Sequence, residues 1–104
     1  QMHGGMIQGL GFGLHEAMVY DEEGQLLSGS FMDYGLPRID QVPPLEAIIV
    51  HNPSPHGPFG ARGIGEPPIV PGAAALANAI KAASGQRLTT LPMKQEQLWQ
   101  ALNP

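Results

Sequence analysis

Apolar residues recur at every fourth position in the first segment of the chain: Met2, Met6, Leu10, Leu14 and Met18, with Ile7, Phe12 and Ala17 widening the stripe. Side chains four apart share one side of a helix, so the spacing predicts a helix over residues 2–19. Gly4, Gly5, Gly9, Gly11 and Gly13 interrupt the same segment. Each interior glycine costs a helix about 1 kcal/mol relative to alanine. Such a helix holds only where something packs closely on it, which glycine permits.

The pattern then changes. Asp21-Glu22-Glu23-Gly24 is a turn signal. Residues 25–34 read as a strand, or two short strands broken at Gly29, and residues 45–51, rich in β-branched side chains, read as another. Leu36-Pro37 and Pro43-Pro44 bracket an irregular connection between them. Residues 52–68 hold five prolines and four glycines in seventeen positions, which excludes regular structure and is long for a passive connection. Residues 70–84 are alanine-rich, with Pro71 in the first turn and Gly85 at the end, and predict a helix. A last helix over residues 93–102 follows Pro92 and places Leu98, Trp99 and Leu102 on one buried side. This order predicts an α+β fold, a small sheet packed with helices, as one unit over residues 1–104.

Composition narrows the function. A chain of 104 residues forms one small domain and buries roughly two-thirds of its unfolded surface. Fourteen glycines and eleven prolines approach a disordered composition, but the apolar residues cluster in clear segments. With a net charge of −4 and five Lys and Arg in all, there is no basic cluster to attract nucleic acid or an anionic membrane. The absence of cysteine excludes disulfides, a thiol nucleophile and cysteine-ligated clusters within these residues. No apolar run reaches the ~20 residues of a membrane span. The start carries no signal peptide and no Met, and opens directly into an element, so a fragment of a longer chain is expected.

Two segments break ordinary folding rules and carry the candidate chemistry. In Gly63-Ile64-Gly65-Glu66-Pro67-Pro68, the prolines stiffen the chain after Glu66 and the glycines leave space before it. Such a loop suits a general base, but the local pattern alone favours an incidental, solvated surface carboxylate. In Gly4-Gly5-Met6-Ile7-Gln8-Gly9-Leu10-Gly11, the glycines serve either close helix packing or the approach of a ligand to Gln8, whose amide both donates and accepts. Neither segment has GxGxxG spacing, and no P-loop or GxSxG elbow occurs. His3, His15, His51 and His56 match no zinc-site spacing, so no metal ligation by protein side chains is expected.

Taken in order, these segments resemble the molybdenum hydroxylases of the xanthine dehydrogenase/aldehyde oxidase family. Gly4 to Gly11 is similar to the family's GG-x-x-QG-x-G segment, and Met32-Asp33-Tyr34-Gly35-Leu36-Pro37 to the motif that closes the following strand. Ser54-Pro55-His56-Gly57-Pro58-Phe59-Gly60 is similar to its SP-x-x-P-x-G loop, and Gly63 to Pro68 to its G-x-GE-PP signature. The alanine-rich helix and a closing LP-x-x-x-E-x-x-W-x-AL helix extend the likeness over essentially the whole chain. His3 stands where relatives often carry an acid, and Arg62 where lysine is common.

The resemblance implies the C-terminal part of a molybdenum-binding subunit, a fragment of a larger molybdopterin-binding domain. It implies an oxidoreductase that hydroxylates an aldehyde or N-heterocyclic carbon with water-derived oxygen. Glu66 would be the catalytic base, Gln8 would hydrogen-bond the molybdenum–molybdopterin cofactor, and Gly9 and Gly65 would give it backbone access. The metal would be held by the pterin dithiolene, whose cytosine-dinucleotide form is one option. Iron–sulfur clusters and FAD or haem would lie on other domains or subunits. The partners implied are the remainder of the subunit, iron–sulfur and flavin or cytochrome subunits, and a small-molecule substrate. The implied compartment is the cytoplasm, with the periplasm as the other option. The 104 residues alone are not expected to turn over substrate. The alternative is a cofactor-free structural or interaction domain of the same ancestry.

Overall fold

Three helices carry the regular structure of the chain in a computed structural model that describes residues 1–104: α1 (Met2–Leu14), α2 (Gly72–Ser84) and α3 (Gln95–Leu102). The i, i+4 stripe predicts α1 but overruns it at the C-terminal end. The His15 and Glu16 amides both donate to the Gly11 carbonyl, at 2.8 and 3.0 Å, and the helix closes there. Met18 therefore lies outside it and is exposed.

The glycines of α1 are consumed by packing. Gly5, Gly9 and Gly13 are buried along one side, and α2 lies against them. A β-carbon at Gly9 would stand 2.9 Å from the Ile69 carbonyl oxygen and 3.2 Å from the Gly72 Cα. One at Gly13 would meet the Leu76 side chain at 3.1 Å, and one at Gly5 the Pro68 ring at 2.6 Å. α2 contributes the half-buried Ala73, Leu76, Ala77 and Ile80, spaced as one helical side. It ends at Gly85, whose φ of 76° is the left-handed conformation of a helix C-cap. α3 is tied back through Met93, whose amide donates to the Gly13 carbonyl at 2.7 Å and whose side chain is buried.

The predicted sheet does not form within these residues. Asp21 makes the expected turn: its Oδ1 accepts from the amides of Glu23 and Gln25, and Gly24 has a φ of 82°. The turn joins a single antiparallel bridge between Tyr20 and Leu26, after which residues 30–34 turn again. Residues 45–51 run between elements with no backbone hydrogen bond. Strand pairing is non-local, and β-branched composition says nothing about whether a partner strand is present. Trp99 and Leu102 are also corrections: they are 65% and 50% exposed, while Leu98 and Ala101 are half-buried.

The surface is large for the mass. The chain exposes 8085 Å², against about 5,600 Å² for a folded protein of 11.0 kDa. Its radius of gyration is 17.2 Å, where about 13 Å suits a self-contained domain of this length. Phe31, Met32, Ile39 and Val50 are almost fully exposed, and Met93 is the one buried large apolar side chain. The modest core expected from length alone is thus reduced to the α1–α2 seam. No helix is long and apolar enough to cross a membrane.

Candidate cofactor-facing site

Residues 52–62 close into a compact loop. The Ser54 hydroxyl oxygen accepts from the amides of His56 and Gly57, at 3.2 and 3.0 Å, and the Ser54 amide donates to the Gly60 carbonyl at 2.9 Å. Arg62 Nε donates to the Asn52 carbonyl at 2.7 Å and draws the two ends together. Gly60 has a φ of 78°, and a β-carbon there would lie 2.7 Å from Pro53 Cβ, so two constraints require glycine.

Glu66 follows this loop on an exposed stretch. The Ile69 amide donates to the Glu66 carbonyl at 2.9 Å, and the Gly72 amide to the Ile69 carbonyl at 3.0 Å, so the chain turns directly into α2. Pro68 is buried against Gly5. The carboxylate thus stands two residues before a rigid contact with α1. It makes no ion pair within the chain, whose single ion pair is Arg38–Asp40 at 3.3 Å. Arg38 holds the Asp40 carboxyl below its ordinary range by hydrogen bond and charge. The cation nearest Glu66 in sequence, Arg62, is engaged with Asn52.

Gln8 is exposed on α1 beside the buried Gly9. Gly4 lies one helical turn earlier on the same side, and no atom comes within 4 Å of where its β-carbon would be. α1 presents an open face there, next to the seam on which Gly5 and Gly9 meet Pro68 and Ile69. Both motif segments, far apart in sequence, therefore converge on one contact between α1 and residues 68–72.

The glycines sort by the reason for them. Most of the fourteen either have positive φ or have a neighbour that a β-carbon would touch. Gly4, Gly63 and Gly65 have neither. All three flank Gln8 or Glu66. The sequence names Gly63 and Gly65 as the glycines that leave space before Glu66, and Gly4 only as part of the segment around Gln8; Gly9, also expected beside the cofactor, lies against Ile69 and Gly72 in the helix seam. No three of the His, Asp and Glu side chains converge as a metal-binding group.

The sequence matches the molybdopterin cofactor-binding domain family over residues 1–43. It is 39% identical over 101 residues to the putative xanthine dehydrogenase molybdenum-binding subunit XdhA of Escherichia coli K12, an alignment covering 96% of this chain and 13% of that protein. The chain is a segment of a molybdenum-binding subunit of the xanthine dehydrogenase/aldehyde oxidase family. The aldehyde oxidoreductase of Megalodesulfovibrio gigas is 41% identical over 103 residues, covering 98% of this chain and 11% of that enzyme. The fold agrees: the crystal structure of quinoline 2-oxidoreductase from Pseudomonas putida 86 superposes on 98% of this chain and 13% of its own, with a TM-score of 0.87 and 30% identity. The chain spans about an eighth of the curated relatives it matches. Molybdenum oxidoreductases are therefore the enzymes to which such a segment belongs.

Proposed function

We propose that these residues form one wall of the molybdenum-cofactor site of a hydroxylase, with Glu66 as the catalytic base and Gln8 as a hydrogen-bonding contact to the cofactor. One observation carries the reading. The glycines left unexplained by packing or conformation, Gly4, Gly63 and Gly65, are those that border Gln8 and Glu66. A missing side chain with nothing in its place leaves room for a group that this chain does not supply, and glycine lets such a group reach the backbone.

The donor set fits a molybdopterin group bound by its organic part. The site offers an amide, open backbone and a free carboxylate, and gathers no cluster of His and acids to grip a bare metal. When bound, the molybdenum group would supply two-electron redox chemistry and acidify water beside it. The chain would do the rest. Gln8 donates and accepts through one amide and so orients the group. Gly9 acts indirectly: its contact with Ile69 and Gly72 fixes the helix that carries Gln8. Gly65 gives the backbone access next to Glu66. The Glu66 carboxylate oxygen would receive the proton released as water-derived oxygen adds to an electron-poor carbon of an aldehyde or N-heterocycle, and the hydrogen on that carbon would leave with its bonding electron pair, the two electrons that the redox group accepts. Glu66 itself makes no ion pair within these residues.

The remainder of the subunit completes the pocket and sets the substrate. Iron–sulfur and flavin or haem groups on other domains or subunits take the electrons onward. The cytoplasm is the proposed compartment. Gln8→Ala in the full-length subunit tests the placement. Molybdenum content per subunit is expected to fall while the variant stays folded. Full molybdenum content and unchanged activity would remove Gln8 from the site.

A further inference from the structure

We propose that Ile64 is a positioning residue for Glu66: its side chain, seated in a recess at the start of α1, fixes the strip of chain on which the carboxylate stands. The inference rests on the reading of Glu66 as the catalytic base.

The strip has little of its own to hold it. Gly63, Ile64 and Gly65 make no backbone hydrogen bond. A β-carbon on Gly63 or Gly65 would meet nothing within 4 Å. Glycine gives up more backbone freedom on ordering than any other residue, so two of them around Ile64 make a soft link. Fixed points lie on either side of that link. Arg62 is clasped to the Asn52 carbonyl before it, and Pro68 is buried against Gly5 after it. Glu66 stands between them.

Ile64 supplies a third attachment. It is 43% exposed, and the rest of its surface is covered although both neighbouring glycines stand open. Its surroundings come from across the fold: Ile64 lines one recess with Met2, His3, Ala47 and Ile49. Met2 and Ala47 are half-buried there. The mainly apolar lining suits a side chain held by burial rather than by hydrogen bonds. Isoleucine is branched at Cβ and stiff about χ1, so seating its side chain also sets its backbone.

Both anchors use the same turn of α1. Met2 and Gly5 lie three apart on that helix and are neighbours on its surface. Ile64 beside Met2 and Pro68 on Gly5 therefore tie the chain down on both sides of Glu66. The bracket lets a carboxylate preceded by two glycines keep one position. A base works only within hydrogen-bond reach of its proton, and a misplacement of about 1 Å can cost roughly 100-fold in rate.

Crystals of the full-length enzyme read the placement without turnover. Ile64→Ala is expected to shift the Glu66 carboxylate by about 1 Å, or to spread it over several positions, with the contact between Gly9 and Gly72 unchanged. Ile64→Val keeps the branch and is expected to leave the carboxylate in place. A carboxylate that stays put in Ile64→Ala would overturn the proposal. Ile64→Thr keeps the branched shape, puts a hydroxyl in the apolar recess, and gives a milder variant with the same expected direction.

Kinetics separates positioning from mere support. Per bound molybdenum, kcat of Ile64→Ala is expected to fall roughly tenfold or more with KM little changed, and Ile64→Val to keep most of the parental rate. In the Glu66→Gln background, Ile64→Ala is expected to cost almost nothing further, because no base is left to place. An equal loss in both backgrounds would overturn the proposal and leave Glu66 as base. So would a loss of molybdenum with the rate per molybdenum unchanged. Near-parental turnover of Glu66→Gln alone would instead overturn the base reading, and this inference with it.

Discussion

A β-carbon on Gly72 would stand 2.7 Å from the Cα of Gly9, so α1 and α2 touch backbone to backbone at this pair. The contact holds residues 68–72 against α1 and brings the Glu66 segment to the helix that carries Gln8. Alanine is the better helix former by about 1 kcal/mol, yet Gly9→Ala would drive a methyl group into the Ile69 carbonyl and the Gly72 backbone. Backbone cannot step aside as a flexible side chain does, so overpacking wins. Gly9→Ala is expected to destabilise the full-length subunit by about 1–3 kcal/mol in chemical unfolding. A variant as stable as the parent would show that the two helices do not meet this closely.

Gly4→Ala and Gly65→Ala should behave in the opposite way. Neither β-carbon would meet an atom of this chain, and neither glycine has a positive φ. Unfolding midpoints are expected to stay near the parent value while bound molybdopterin, read by molybdenum analysis and pterin release, falls severalfold. Full cofactor content in both variants would leave the open glycines without the proposed reason.

Tyr34 anchors the loop after the Tyr20–Leu26 bridge to the end of α1. Its hydroxyl donates to Glu16 Oε2 at 2.8 Å. That hydrogen bond, helped by burial and the Glu16 charge, raises the phenol above its ordinary value. A raised folded-state value means that the contribution is fully present below the unfolded tyrosine value of about 10 and is lost as pH rises through the folded one. Tyr34→Phe is expected to melt below the parent at neutral pH, with the gap closing in alkali. A gap that persists or widens in alkali would assign the effect to packing.

The helices were legible because their signals are local. Alanine content, Pro71 and Gly85 fix α2 within two residues of the predicted start and at its predicted end. The two motif segments were also legible, and both lie at one seam of the fold. Sheet pairing was not: residues 45–51 make no backbone hydrogen bond within the chain, and β-branched composition says nothing about whether a partner strand is present. The orientation of Trp99 failed for a related reason, since amphipathic spacing tells which side chains share a face and not what covers it. Nor does sequence distinguish a glycine needed for a close helix contact, such as Gly9, from one that faces open space, such as Gly4.

The central claim is the role of Glu66, and Glu66→Gln in the full-length enzyme tests it most directly. The amide keeps the shape and cannot accept the proton. Turnover is expected to fall roughly 10²–10⁴-fold, the contribution of a positioned base, with molybdenum content per subunit near that of the parent. Near-parental turnover at full molybdenum content would contradict the account.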